Sequence, residues 1–343
     1  MSFIANNPVK TISSLKELSA SSIPEWVAQL RDCVTEVEEL LALLRIDVST
    51  LKLDLDPQFG LRVPRPFIKM MALGDPYDPL LRQVLPLSEE KRKKPGFSVD
   101  PLMEYQATLA PGIIQKYHGR LLLITTGACA IHCRYCFRRN FPYADNRVSF
   151  DQNSLEAIRS DQSINEVIAS GGDPLILTDE HLFRLLEILE AIPHVKRLRI
   201  HTRFPVVIPA RLTQLLIDRL HSSRLRICIV LHVNHPNEIG NDLKEGVGSM
   251  VKKGLTVLNQ SVLLKGVNDD VDVLKELSDR LFEAKILPYY LHLLDPVLGT
   301  HHMMVEAERA LKIYEDLRFS MPGYLVPKLA RENPGERAKE WLS

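Results

Sequence analysis

From residue 120 onward the sequence alternates six times between a short β-rich run and a longer run of helical period. The short runs fall at 121–126, 166–169, 197–202, 224–233, 256–264 and 287–293. The helical runs fall at 154–160, 179–191, 209–221, 241–253, 271–284 and 305–320. A chain that repeats strand and then helix predicts a parallel sheet with the helices packed outside it. Right-handed crossovers curve such a sheet in one direction. Eight units close a full barrel. Six predict an α/β fold with an open, partial (β/α)6 barrel of TIM-like type. Sites in such folds lie at the C-terminal ends of the strands.

The first 110 residues have a different character. Ser22 as N-cap and Pro24 in the first turn predict a helix start. An apolar period follows through Trp26, Leu30, Val34, Val37, Leu40 and Leu41. Residues 47–110 are rich in proline and short apolar clusters, and the charged stretch 89–94 reads as a solvated face. The expected organisation is a helical, irregular extension over 1–110, a barrel core over 111–325 and a C-terminal segment over 326–343. The residues Tyr324, Leu325, Val326 and Pro327 read as a last extended segment.

The chemistry begins directly after the first strand. Cys129, Cys133 and Cys136 are spaced Cys-x3-Cys-x2-Cys. Five cysteines, three of them clustered, argue for metal binding over a disulfide framework. Cys33 and Cys228 lie in apolar patterns and read as buried small side chains. Three thiolates hold three corners of a cubic iron–sulfur cluster and leave one iron open. The rival is a zinc site, for which His132 is the nearby fourth ligand and no second Cys-x2-Cys knuckle exists. After the second strand comes Ser170-Gly171-Gly172-Asp173-Pro174-Leu175. Its glycines permit close backbone approach to a ligand, and Asp173 also suits a helix cap. Lys and Arg together number 43, as do Asp and Glu. That balance gives no support for a nucleic-acid or membrane partner. The first seven residues lack the basic and apolar regions of a signal peptide, so a cytoplasmic protein is expected.

With Tyr135 before the third cysteine, the triad resembles the radical S-adenosylmethionine superfamily. The resemblance implies a [4Fe–4S] cluster on Cys129, Cys133 and Cys136 whose open iron is chelated by S-adenosylmethionine. Gly171, Gly172 and Asp173 would contact the methionyl ammonium. Over roughly residues 111–339 the sequence is similar to the lysine 2,3-aminomutase family. The stretches that carry the likeness are Cys133 through Phe141, Ser170 through Leu175, Thr202 through Arg211, His232 through Glu238, and Asn259 through Leu264 with Gly266-Val267-Asn268-Asp269.

That family adds pyridoxal phosphate. Lys339, after the Pro334-Gly335 turn, matches the lysine that carries it, with Lys328 as the fallback. Lys116 and Arg120 match the basic residues for its phosphate. Arg138 matches the arginine for the substrate carboxylate. Asp295 matches an aspartate for the side-chain ammonium, and Glu332 replaces the family's second one. His232 and Gln260 fall where S-adenosylmethionine is contacted. The implied reaction moves the amino group of L-α-lysine from C2 to C3 and gives (R)-β-lysine. The short tail past Lys339, the Phe137-Arg138-Arg139 sequence and the stretch from Tyr324 to Glu332 resemble the bacterial branch that serves elongation factor P through a separate ligase. Two alternatives stay open: an aminomutase for free lysine, arginine or glutamate in another pathway, and a non-catalytic iron–sulfur or zinc-binding module. Two carboxylates around one cation weigh against glutamate. The reading leaves a homo-oligomer open.

Overall fold

A computed structural model describes residues 23–149 and 155–342. Ser22 and Ser154, expected at two helix starts, lie outside the described residues. Among the described residues ten strands form one sheet in sequential order. Its centre is the predicted parallel set: β3 (Arg120–Thr126), β4 (Glu166–Gly171), β5 (Arg197–Thr202), β6 (Arg226–Leu231), β7 (Thr256–Val262) and β8 (Leu287–His292). β1 (Thr108–Ala110) and β2 (Ile113–Tyr117) add an antiparallel edge before β3. At the other edge β9 (Lys328–Arg331) runs parallel to β8, and β10 (Glu340–Trp341) turns back on it. The outermost strands are β1 and β10, so the sheet is open, as six units predict.

The helices lie where their periods put them. One after β4 spans Asp179–Glu190. Thr178 caps it by accepting from the His181 N–H, and it buries Leu182, Leu185, Leu186 and Leu189. That spacing is one face of a 3.6-residue helix. The helix Val271–Glu283 is capped by Asp270, which accepts from Asp272 and Val273, and buries Leu274, Leu277 and Leu281. Seating these faces on the sheet leaves the strand ends free to build a site.

Three expectations change. The single N-terminal period is two helices, Glu25–Arg31 and Val37–Leu44. Between them Val34 exchanges backbone hydrogen bonds with Val63, each 2.9 Å, and that bridge replaces the helical ladder. The last extended segment begins at Lys328 rather than at Tyr324. Gly323–Leu325 form one 3-10 turn, and Pro327 has no N–H to give a ladder. The stretch 89–94 is not simply a solvated face. Glu90 is buried and takes Arg134 and Arg139 together, at 2.5 and 2.6 Å.

The extension shares the barrel's core. Trp26, Leu30, Leu40 and Phe67 join Leu121, Ile200 and Ile229 in one apolar cluster. The Trp26 ring meets Phe204 edge-on at 5.8 Å. No helix among the described residues is long and apolar enough to cross a membrane.

Candidate active site

Every site residue expected from the family likeness, apart from the fallback Lys328, lines one cavity of about 660 Å³ that runs along the inside of the sheet, from Arg120, Glu166 and Arg199 near the strand starts to the cysteine loop beyond the strand ends. The cysteine loop forms one wall, and β4 clasps it. Gly172 N–H donates to the Thr126 carbonyl at 2.7 Å, and Asp173 N–H to the Ala128 carbonyl at 2.8 Å. Gly171 has φ +115°, and a Cβ there would lie 2.6 Å from the Thr126 oxygen. A Cβ on Gly172 would clash with the Ala128 carbonyl. The close approach that these glycines permit is therefore to the cysteine loop itself.

Asp173 carries more than one burden. It caps the turn Pro174–Ile176 through the Leu175 N–H. Its carboxylate also accepts from Thr202 Oγ1 at 2.6 Å and from the Arg203 and Phe204 N–H groups at 2.7 and 2.9 Å. Four protein donors thus occupy it and tie the end of β4 to the end of β5, while the Asp173 N–H holds the cysteine loop.

Arg203 stands beneath the triad. Its Nη1 donates to Cys133 Sγ at 2.8 Å and to the Tyr135 hydroxyl at 2.6 Å. Its Nη2 donates to Gln83 and to buried Glu238. A guanidinium aimed at a sulfur suits a thiolate rather than a thiol. Burial pushes the Cys136 thiol up to about 11. His132, the zinc reading's fourth ligand, is turned away: its Nδ1 pairs with the Gly60 carbonyl and its ring stacks on Phe59. Among the described residues no group of three or more His, Cys, Asp or Glu side chains could hold a single metal ion. Cys33 packs at the margin of the core, whereas Cys228, read as a core side chain, lines the cavity.

Across the cavity five side chains form a chain of alternating charge. Arg138 Nε and Nη2 each meet Glu104 at 2.7 Å. Lys116 Nζ bridges Glu104 at 3.1 Å and Glu332 at 2.7 Å. Glu332 then meets Lys339 Nζ at 3.1 Å. Burial disfavours the Glu332 carboxylate, yet Lys339 and Lys116 overcome it and hold its pKa down at about 2. Asp295 has the opposite fate. Burial, helped by the Glu332 charge, pushes it up to about 7. Neighbouring carboxylates driven apart in this way are a mark of functional sites. Arg120 forms no ion pair among the described residues and lies over the Tyr117 ring at 4.7 Å. Burial, with help from the Arg203 and Arg138 charges, brings His232 down to about 3, and its neutral ring pairs with Gln260 at 3.0 Å. Lys328 does not line the cavity; it is exposed over the Trp341 ring at 3.8 Å.

Sequence reasoning missed Glu104, Arg203, His201 and Tyr290, all of which line the cavity. Arg203 and His201 stood inside or beside a quoted motif. Their neighbours could have flagged them. Glu104 had no such signal, because it lies in the irregular extension.

The model of a 4Fe-4S single cluster domain matches residues 118–203, which span the cysteine loop and its clasp. The L-lysine 2,3-aminomutase of Escherichia coli is 49% identical, over 94% of this chain and 95% of its own length. The chain belongs to the lysine 2,3-aminomutase family. The L-lysine 2,3-aminomutase of Clostridium subterminale is 32% identical over 94% of this chain and 79% of its own length. A radical SAM methyltransferase from Sphaerobacter thermophilus is similar over 64% of this chain and 68% of its own, with a TM-score of 0.47 and 19% identity.

Members of this family are isomerases, and their cofactors are a [4Fe–4S] cluster, S-adenosylmethionine and pyridoxal phosphate. The residues present fit all three. Cys129, Cys133 and Cys136 share one wall. Arg120 is free to meet a phosphate, and Lys339 reaches the cavity. The His201 Nε2 is buried without a hydrogen-bond partner among the described residues, an open place for a ligand's polar atom.

Proposed function

We propose that this radical lysine aminomutase uses pyridoxal phosphate on Lys339 to convert L-α-lysine into (R)-β-lysine, and that the product serves the β-lysylation of elongation factor P. One observation carries the reading: cysteine triad, Lys339, Arg138 and the Asp295–Glu332 pair share one cavity. When bound, the cluster with S-adenosylmethionine supplies a carbon radical that removes hydrogen, and pyridoxal phosphate carries the migrating nitrogen.

The side chains then have distinct tasks. Cys129, Cys133 and Cys136 hold the cluster. Gly171, Gly172 and Asp173 keep the loop against β4 and, with His232 and Gln260, bound the space for S-adenosylmethionine. Lys116 and Arg120 receive the cofactor phosphate. Arg138 takes the substrate carboxylate by a two-point contact. Asp295 takes the side-chain ammonium. Glu332 spends its oxygens on Lys116 and Lys339 and adds its negative charge beside the Asp295 position. Binding both ends of an extended amino acid fixes which hydrogen the radical meets.

The link to elongation factor P is supported by the sequence around Phe137–Arg139 and Tyr324–Glu332. The mass of elongation factor P from a strain lacking this chain tests it. Loss of the β-lysyl group is expected; a retained group contradicts the assignment. An aminomutase for another purpose would leave that mass unchanged and still make β-amino acid.

A further inference from the structure

Glu104 lies outside every motif in the sequence, yet its carboxylate joins the carboxylate-binding and phosphate-binding ends of the cavity. It is 2% exposed. Its Oε2 accepts from Arg138 Nε and its Oε1 from Arg138 Nη2, and the Lys116 ammonium approaches Oε1. The backbone is arranged to put it there. Met103, just before it, has φ +51°, in the left-handed region that a side-chain-bearing residue rarely adopts. The Met103 side chain is 41% exposed, so burying it is not what the turn achieves. Asp100 clamps the same turn, accepting from the Glu104 N–H at 3.0 Å and the Tyr105 N–H at 3.2 Å. Observed strain of this kind points towards a functional position.

A guanidinium has five N–H donors. Glu104 uses one on Nε and one on Nη2, and Ser170 Oγ uses one on Nη1 at 3.0 Å. One donor then remains on each Nη, enough for a second carboxylate without displacing the first. We propose that Glu104 is a positioning residue: it fixes the Arg138 guanidinium so that its two unspent donors meet the substrate carboxylate, and through Lys116 it ties that end to the phosphate-binding end. The inference rests on the assignment of Arg138 to the substrate carboxylate. It also gives the N-terminal extension a part in the site.

The test compares L-lysine with L-lysinamide, in which a neutral amide replaces the carboxylate. Both are assayed with the reconstituted holoenzyme, unaltered and as Glu104→Gln, and their binding is measured by calorimetry. The unaltered enzyme should prefer lysine by about 10- to 100-fold, the worth of a charged hydrogen-bonded contact. Glu104→Gln should raise the lysine KM and dissociation constant by about tenfold, with a smaller change in kcat, and should erase most of that preference. If the unaltered enzyme has no preference, the reading of Arg138 fails. If it prefers lysine and Glu104→Gln keeps the full preference, the role of Glu104 is overturned while Arg138 stands. Should Glu104→Gln not fold, Glu104→Asp carries the test. Its charge remains but its reach is shorter, so a weakened preference supports the role and an unaltered one overturns it.

Discussion

Replacing Asp295 with asparagine separates the two carboxylates that the cavity drives apart. Carrying a carboxyl from 3.8 up to about 7 puts a penalty of about 4 kcal/mol on its ionised form. An ammonium bound beside it recovers part of that penalty, and binding then requires the proton to leave. The ionised fraction of a group with this pKa falls about tenfold between pH 8 and pH 6, so apparent lysine affinity should fall by a similar factor. The substrate's side-chain ammonium stays charged throughout, with a pKa of about 10.4. Calorimetric titration of the holoenzyme with lysine at pH 6, 7 and 8 reads the effect directly. Asp295→Asn should weaken binding at pH 8 by about 10- to 100-fold, and it should remove the Asp295 part of the pH slope. The stability sign is opposite to that of a salt-bridged acid. Between about pH 4 and 7 the native state holds a proton that the unfolded chain has released, so this contribution falls as pH rises. Asp295→Asn should flatten that fall. A wild-type slope that persists unchanged in Asp295→Asn refutes the reasoning.

Three further outcomes follow from the same geometry. Lys339→Ala should abolish the cofactor absorbance that borohydride fixes to the chain, whereas Lys328→Ala should leave it intact. Gly172→Ala drives a Cβ into the Ala128 carbonyl; it should destabilise the fold by about 1–3 kcal/mol and lower iron per chain after reconstitution. Arg203→Met removes the cation from the buried Glu238 carboxylate, leaving it only the Gln83 amide and the Asn234 and His235 N–H groups, and should cost about 3–5 kcal/mol in urea unfolding.

The barrel was legible because its signal is local. Most strands and helices from Leu121 to Leu317 announce themselves by period, and topology follows from the alternation; the run read at 209–221 instead divides into a 3-10 turn, Pro209–Arg211, and a helix, Gln214–His221, and the short helix Phe204–Val207 went unread. The short edge strands were not legible. β10 has two residues; β2 gains its pairing from β3, and β1 from β2, rather than from their own pattern. The cysteine spacing pointed to a metal centre because three thiols on one short loop can converge on it, and the family likeness chose the cluster over zinc. Lys339 and Asp295 were legible only through resemblance, since a tail lysine and a turn aspartate are otherwise unremarked. Glu104 was hidden because its meaning depends on Arg138, 34 residues away, and on a turn strained at Met103. Asp173 shows the reverse case. Its cap role was legible from the sequence, whereas its bonds to Thr202, Arg203 and Phe204 and its N–H to the Ala128 carbonyl depend on the fold.

The most direct measurement is the product formed from L-lysine by the anaerobically reconstituted protein with S-adenosylmethionine, pyridoxal phosphate and a reductant, resolved by chiral chromatography. The account predicts (R)-β-lysine in multiple turnovers, together with loss of turnover in variants of the triad cysteines. Cofactor cleavage without any β-lysine, or β-lysine formed equally by Cys133→Ala, would contradict it.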